Sequence, residues 1–239
     1  MKPAPRRVLV RAFIQARMSS RRFPGKVLAP FLGRPIAAHV ISSVSRVVPR
    51  DRIVVLTSTE PSDDPLASYA RTLGVGVFRG SLDDVFGRFR ACLGRHPCDF
   101  FLRICADSPL LDPMILAAVA ALARRPDVDL ATNVFPRTFP KGQSAELIRA
   151  EAFCGIDRRK LPACQREHVT PAYYEDPGSF RIVNVESGRP SWSRVHMDVS
   201  RPEDLARLEK AYPGGLKDLP EWSFQEGSGS RAAGADIER

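Results

Sequence analysis

Over residues 8–134, short apolar runs alternate with longer stretches of helical periodicity. This alternation restricts the possible folds more than any other feature of the chain. Val8–Ile14, Arg52–Leu56, Gly76–Phe78, Phe100–Ile104 and Asp129–Thr132 read as strands; Ile36–Val47, Pro65–Leu73, Leu82–Leu93 and Pro113–Ala123 read as helices. The pattern predicts an α/β domain whose sheet is mostly parallel, with helices on both faces. Ligands of such sheets bind beyond the carboxyl ends of the strands, where the topology switches. After about residue 135 the rhythm changes. Ser144–Ile148, Phe180–Val185 and Ser193–Val199 read as extended, and Ala150–Arg159, Gln165–Tyr174 and Pro202–Tyr212 as helical. From Gln225 onward Gly, Ser, Ala and Arg dominate, which predicts a disordered tail over 225–239. Residues 1–224 are then expected to form one domain, divided near residue 135 into a half over 8–134 and a second half over 135–212.

The first apolar run ends in Gln15-Ala16-Arg17-Met18-Ser19-Ser20-Arg21-Arg22-Phe23-Pro24-Gly25-Lys26. Four cations, two hydroxyls and a glycine turn thus gather at one strand end. Polyphosphate is held by this chemistry: fixed positive charge, forked guanidinium groups and approachable backbone N–H groups. The spacing of a Walker loop is absent, and no Gly-x-Gly-x-x-Gly follows the strand. The charge distribution points to the same loop. Of the net +9, residues 1–50 carry eleven Lys or Arg and no Asp or Glu, whereas the remainder is slightly acidic. That distribution suits a small anionic ligand, and no nucleic-acid-binding motif is evident. Nucleic acid is not an expected partner.

The segment resembles the nucleotide-binding loop of the sugar-acid cytidylyltransferases, which include CMP-Kdo synthetase, CMP-sialate synthetase and spore-coat-polysaccharide-type proteins. Their pattern is Ile-x-Ala-Arg-x-x-Ser-x-Arg-x-Pro-Gly-Lys. Ile14, Ala16, Arg17, Ser20, Arg22, Pro24, Gly25 and Lys26 match it in register. The resemblance implies a Rossmann-like nucleotide-diphospho-sugar transferase fold with a small dimerisation and acceptor lobe. It also implies transfer of CMP from CTP to an acidic sugar with release of pyrophosphate, in polysaccharide or glycan synthesis. Mg²⁺ or Mn²⁺ is the expected cofactor and a homodimer the expected assembly. Ala16, Arg17, Ser19, Ser20, Arg22, Gly25 and Lys26 become nucleotide-site candidates, with Arg17, Arg22 and Lys26 neutralising charge in the transfer.

Phe100–Ile104 runs into Cys105-Ala106-Asp107-Ser108-Pro109. A carboxylate at a strand end near a cationic loop suits Mg²⁺, which takes one or two carboxylates plus phosphate and water. A turn-capping role for Asp107 is the other reading. The family has Gly-Asp-x-Pro here, with a metal-binding aspartate; Ala106 replaces the glycine. His196-Met197-Asp198-Val199-Ser200-Arg201-Pro202-Glu203-Asp204-Leu205 resembles a second family motif, in which Asp198 completes the metal site. The Ser200-to-Glu203 spacing is also that of a capping box.

Further candidates are weaker. Thr57 and Ser58 end the second strand and either contact the base or make a turn. Arg79-Gly80-Ser81-Leu82-Asp83-Asp84 resembles a spore-coat-type pattern; Ser81 and Asp84 suit a helix cap, and Arg79 and Arg88 are assigned to the nucleotide or acid. Arg103 either reaches a phosphate or pairs with a buried acid. On the acceptor side stand Arg137, Lys141 and Glu146, in a stretch resembling Asn-x-x-x-Arg-Thr-Phe-Pro-x-Gly-x-x-x-Glu. His168, in Arg166-Glu167-His168-Val169-Thr170-Pro171, which resembles a spore-coat-type signature, is a further acceptor-side candidate, either a general base or structural. Phe180–Val185 either pairs with a second subunit or covers its own sheet.

Five cysteines without a Cys-x-x-Cys pair read as buried thiols, and Cys164 with His168 lacks further zinc ligands. No apolar stretch is long enough to span a bilayer and no cleavable leader is evident, so a cytoplasmic protein is expected. Two alternatives stay open: transfer of another nucleotide, or to a phosphorylated or phosphonate acceptor; and a non-catalytic nucleotide-sugar-binding protein.

Overall fold

The computed structural model describes residues 7–227. The strands of the main sheet are β1 (Val10–Gln15), β2 (Ile53–Ser58), β3 (Gly76–Gly80), β4 (Phe100–Cys105), β5 (Leu130–Thr132), β6 (Glu146–Arg149), β7 (Ile182–Glu186) and β8 (Gln225–Glu226). Their order is β8-β7-β5-β6-β4-β1-β2-β3. β1 pairs parallel with β2 and β4, and β2 with β3. β6 is wedged antiparallel between β4 and β5. The predicted change of rhythm after residue 135 therefore marks the strand that reverses direction inside the sheet.

The helices are α1 (Ile36–Val44), α2 (Asp64–Thr72), α3 (Val85–Arg95), α4 (Pro113–Ala121), α5 (Ala150–Gly155), α6 (Ala163–Glu167), α7 (Pro171–Glu175) and α8 (Pro202–Ala211). Strand residues alternate between two cores, as the pleat requires. Ala12, Ile14, Ile53, Val55, Leu102 and Ile104 face a core closed by Val40 and Ile41 of α1 and Ile115, Leu116 and Val119 of α4. Phe13, Val54, Leu56, Phe101 and Ile148 face the other, closed by Phe86 and Phe89 of α3 and Phe153 of α5. Phe13 stacks on Phe101 at 5.1 Å, and Phe86 meets Phe153 at 4.4 Å. Helix starts follow local chemistry. Asp112 accepts from Met114 N at 2.7 Å ahead of α4, with Pro113 at its first position.

Several expectations shift. The helix expected over Gln165–Tyr174 is two short ones, because Pro171 has no N–H to continue a helix and His168 is extended (φ −118°, ψ 143°). The strand expected at Ser193–Val199 is a 3₁₀ turn over Pro190–Arg194 followed by one bridge, Lys141 to His196; Pro190 opens that turn. The capping box before α8 is closed by Asp204, one residue later than expected, which accepts from Ser200 N and Arg201 N at 2.9 Å. Asp84, not Ser81, caps α3 through Gly87 N at 2.9 Å, and Ser81 Oγ accepts from Asp84 N.

The expected tail does not begin at Gln225, because Gln225 and Glu226 pair with β7 at Glu186 and Val185. The remaining tail positions, 228–239, lie outside the described residues. β7 lies in its own chain's sheet, against β5 on one side, and β8 takes up part of the other. Among the described residues, no helix is long and apolar enough to cross a membrane.

Candidate functional site

The carboxyl ends of β1, β2 and β4 converge on one rim of the sheet. β1 runs straight into the basic loop over residues 16–26, and Ala16 N stays on the ladder, donating to Leu56 O at 3.0 Å. The chain then turns back on itself, with Gly25 N donating to Met18 O at 2.8 Å. Gly25 has φ +75°, a conformation that favours glycine.

Lys26, at the end of the turn, reaches across to the end of β4. Its Nζ lies 2.7 Å from Asp107 Oδ2 and donates to Val199 O at 2.8 Å. Val199 N donates in turn to Asp107 O at 2.8 Å, so the segment bearing Asp198 is stitched to the end of β4. Asp198 Oδ2 accepts from Ser200 Oγ at 3.1 Å, and Arg22 Nη2 reaches the same hydroxyl at 3.2 Å. Arg22, Lys26, Asp107 and Asp198 come from three separate parts of the chain and meet here.

Among the described residues, no group of three or more His, Cys, Asp or Glu is gathered for a metal. The pair Asp107 and Asp198 nevertheless has a donor to spare. Asp198 Oδ1 is buried without a hydrogen-bond partner, and His196 Nδ1 is 3.8 Å away. A buried, unsatisfied carboxylate oxygen, on a segment tied through Val199 to the residue that bears a second carboxylate, fits a hard divalent cation completed by phosphate and water.

Gly142 brings this segment close to the β5–β6 connection. It has φ +96°, and a Cβ there would lie 2.6 Å from Met197 C and 2.7 Å from Asp198 N. Behind it, buried Gln143 accepts from Asp112 N at 2.9 Å and donates to Leu110 O at 2.7 Å. Gly142 is the glycine of the resembled Asn-x-x-x-Arg-Thr-Phe-Pro-x-Gly-x-x-x-Glu pattern, whereas Gln143, which supports the site from behind, carried no signal of its own in the sequence.

The register places a second polar group beside the first. Arg103 on β4 lies opposite Glu146 on antiparallel β6, and Arg103 Nη1 donates to Glu146 Oε2 at 2.7 Å. Of the two roles open for Arg103, the structure gives the pairing with a buried acid. Tyr174 donates to Glu146 Oε1 at 2.5 Å and meets Thr132 Oγ1 at 3.0 Å. Burial, then the Glu146 carboxylate, hold the Tyr174 hydroxyl well above its ordinary pKa. Arg137 is half-buried and donates to Ser144 Oγ at 3.1 Å; burial, partly offset by Glu146, lowers its pKa. Arg137, Arg103, Glu146 and Tyr174 form one wall beside the carboxylate pair. Tyr174 carried no signal of its own in the sequence.

Other candidates are committed elsewhere. Thr57 and Ser58 give their hydroxyls to Asp63, at 2.7 and 2.5 Å, rather than facing a base. Arg79 is spent on the tip of β2: its Nε donates to Ser58 O at 2.7 Å, Nη2 to Glu60 O at 2.8 Å, and Nη1 meets Asp64 at 2.5 Å. Arg88 is only 2% exposed, with one bond, to Ser81 O; burial and the neighbouring Arg17 bring its pKa down to about 10. The Lys141 side chain is exposed, and its backbone bridges His196. His168 is exposed at the end of α6.

Arg17 lies 3.7 Å from Glu167 and, with Ser19 and Arg21, lines a cleft of about 460 Å³ between the loop, the Ser81–Asp84 turn and α6. A larger hollow of about 920 Å³ lies around Arg88, Arg90, Arg158 and Arg159, away from the carboxylates.

Residues 12–211 match the cytidylyltransferase family. The spore coat polysaccharide biosynthesis protein SpsF of Bacillus subtilis is 30% identical over 207 residues, 83% of this chain and 84% of its own length. The 3-deoxy-manno-octulosonate cytidylyltransferase of Geobacter sulfurreducens is 35% identical over 126 residues, covering 52% of this chain and 49% of the enzyme. Among solved structures, a cytidylyltransferase from Leptospira borgpetersenii superposes with a TM-score of 0.83 at 29% identity, over 89% of this chain and 90% of that one.

Proposed function

The chain belongs to the cytidylyltransferase family, and from that premise we propose that it transfers CMP from CTP to an acidic sugar, releasing pyrophosphate, for polysaccharide or glycan synthesis. The contact of Lys26 with Asp107 at 2.7 Å carries this reading. It couples a phosphate-binding loop to a carboxylate pair at the end of the neighbouring strand.

In the reading, Arg17, Arg22 and Lys26, with Ser19, Ser20 and the backbone of the 16–26 loop, bind the triphosphate and hold its α-phosphorus for in-line attack. A cation held in place and mostly covered, as Lys26 is, stabilises charge as it develops without reorganising at the moment of reaction. Asp107 and Asp198 would hold Mg²⁺ or Mn²⁺. When bound, the ion screens phosphate charge and eases departure of pyrophosphate. Arg137 has donors left beyond its single bond to Ser144 and faces the acceptor side, where a carboxylate would pair with it. Arg103, Glu146 and Tyr174 keep that wall rigid, and exposed Lys141 lies at its edge. His168 is placed on the acceptor side only by its sequence motif. Because the reaction consumes a nucleoside triphosphate, the reading puts the protein in the cytoplasm, and it takes the assembly to be a homodimer.

The test is pyrophosphate release from CTP, UTP, ATP and GTP with a panel of sugar acids and their phosphorylated counterparts. CTP with a sugar acid is expected to be the productive pair. Release only with another nucleotide or a phosphorylated acceptor overturns the substrate assignment. Nucleotide binding with no release from any pair makes the protein a binder.

A further inference from the structure

Asp63 closes the 3₁₀ turn Pro61–Asp63 ahead of α2 and is 0% exposed. Its carboxylate points back under the basic loop. Oδ1 accepts from Met18 N at 2.7 Å, and Oδ2 accepts from Thr57 Oγ1 at 2.7 Å, Ser58 N at 2.8 Å and Ser58 Oγ at 2.5 Å. We propose that Asp63 is a positioning residue for nucleotide binding, fixing the basic loop to the end of β2 through Met18.

Met18 is the hub of that loop. Its N–H is held by Asp63, and its C=O accepts from Gly25 N at 2.8 Å, so one residue ties both ends of the turn to the sheet. Arg17 precedes it and Ser19 and Ser20 follow, so any slip of Met18 re-aims all three. The turn that carries Asp63 is itself clamped, because Arg79 holds Ser58 O, Glu60 O and Asp64 together.

The chemistry requires an anion. Four donors converge on two carboxylate oxygens, and an amide offers one acceptor and places an NH₂ against a donor. Hydrogen bonds to a charged acceptor are stronger than neutral ones, and they hold the loop in shape before the phosphates arrive. Burial alone would raise the Asp63 pKa, but the bonds from Ser58, Met18 and Thr57 outweigh it and lower it, which is the mark of a carboxylate kept ionised.

This assignment rests on reading residues 16–26 as the triphosphate loop. Its test is calorimetric CTP affinity with Mg²⁺ present, together with KM for CTP and for whichever sugar acid of the panel above supports pyrophosphate release, in the wild type and three variants. Asp63→Asn removes the shared acceptor, and Thr57→Val removes one bond and no charge. Val119→Ala trims a fully buried residue of α4 as a control for stability alone. Asp63→Asn is expected to weaken CTP binding by about tenfold or more, and Thr57→Val in the same direction by less. KM for the acceptor should stay within about twofold, and Val119→Ala should leave CTP affinity unchanged while lowering Tm. Folded Asp63→Asn and Thr57→Val proteins with wild-type CTP affinity overturn the proposal, as does equal weakening by Val119→Ala. If Asp63→Asn does not fold, Thr57→Val decides alone. A wild type that binds no nucleoside triphosphate overturns the reading of the loop instead.

Discussion

Lys26 Nζ sits 2.7 Å from Asp107 Oδ2 and 2.8 Å from Val199 O. Eighty-one residues apart in sequence, Lys26 and Asp107 are joined because β1 and β4 are parallel neighbours whose register runs from Val10 opposite Phe100 to Gln15 opposite Cys105. Two strands that end level deliver a cationic loop and a carboxylate to the same place. The ammonium is mostly covered, its side chain 12% exposed, so its charge is weakly screened.

Removing the loop's charge should therefore be costly. Lys26→Ala and Arg22→Ala each delete a proposed charge-assisted phosphate contact, of about 1.5–3 kcal/mol where the charge is covered, as at Lys26. Each is expected to lower CTP affinity or kcat/KM by about tenfold or more in a pyrophosphate-release assay. Wild-type kinetics in both variants would reject the phosphate assignment.

Asp107 and Asp198 predict a metal requirement. Turnover should vanish in excess EDTA and return with Mg²⁺ or Mn²⁺. Asp107→Asn should abolish turnover while circular dichroism stays native. Asp198→Asn removes the charge from the carboxylate whose Oδ1 is buried without a partner, and should weaken Mn²⁺ binding measured by electron paramagnetic resonance. Full activity in EDTA contradicts the metal reading, and native Mn²⁺ affinity in both variants contradicts these ligands.

What was legible in the sequence was whatever local chemistry announces. The parallel strands showed as apolar runs ending in turn residues, and the structure moves their bounds by at most two residues at either end. Asp107 stood out because charge just after a buried strand is conspicuous, and Lys26 because it ends a run of cations and a glycine turn that leads off a strand. Asp63 did not: it lies in Glu60-Pro61-Ser62-Asp63-Asp64, which reads as an ordinary polar turn. Its importance comes from Met18, forty-five residues away, and nothing local encodes that. Arg79 and the pair Thr57 and Ser58 sit at a strand's carboxyl end, where ligand contacts are expected. The structure spends them on the scaffold beneath the loop. The strand expected at Ser193–Val199 starts inside the 3₁₀ turn that Pro190 opens, and beyond that turn only His196 makes a bridge, to Lys141.

The proposed homodimer has a definite outcome. β7 is covered by β5 on one side and, at Val185 and Glu186, by β8 on the other, which leaves Ile182 and Val183 half-buried. Light scattering at micromolar concentration should give twice the chain mass of 26.4 kDa. A particle at the chain mass refutes the dimer.

The Asp63 carboxylate also predicts how stability depends on pH. Its folded pKa lies below the ordinary 3.8. Its contribution is thus fully present above the unfolded value and is lost as pH falls through the folded one. The stability gap between wild type and Asp63→Asn, about 1–3 kcal/mol at neutral pH, should hold down to about pH 5 and shrink below about pH 4. Denaturant midpoints of both proteins at a series of pH values measure it. A gap that stays constant into strong acid means that the wild-type advantage does not depend on the carboxylate's ionisation.

Gly142 offers the sharpest geometric test. With φ at +96°, any side chain there is strained, and a Cβ would press to 2.6 Å from Met197 C and 2.7 Å from Asp198 N. The crowded atoms are backbone, so no rotamer relieves the contact. The segment around Asp198 must move away from the β5–β6 connection, although Met197 N donates to Lys141 O at 2.7 Å and Lys141 N to Val195 O at 2.9 Å. Strain of this kind costs about 1–3 kcal/mol, and here the displaced element carries a proposed metal ligand. Gly142→Ala is expected to lower turnover by at least about tenfold and to raise the Mn²⁺ concentration needed for half-maximal rate, because misplacement of about 1 Å costs on the order of a hundredfold in rate. Gly94→Ala, inside α3 with open space where its Cβ would go, serves as control and should keep wild-type kinetics with equal or higher Tm. Equal kinetics in the two alanine variants would show that the close approach at Gly142 does not hold Asp198 in place.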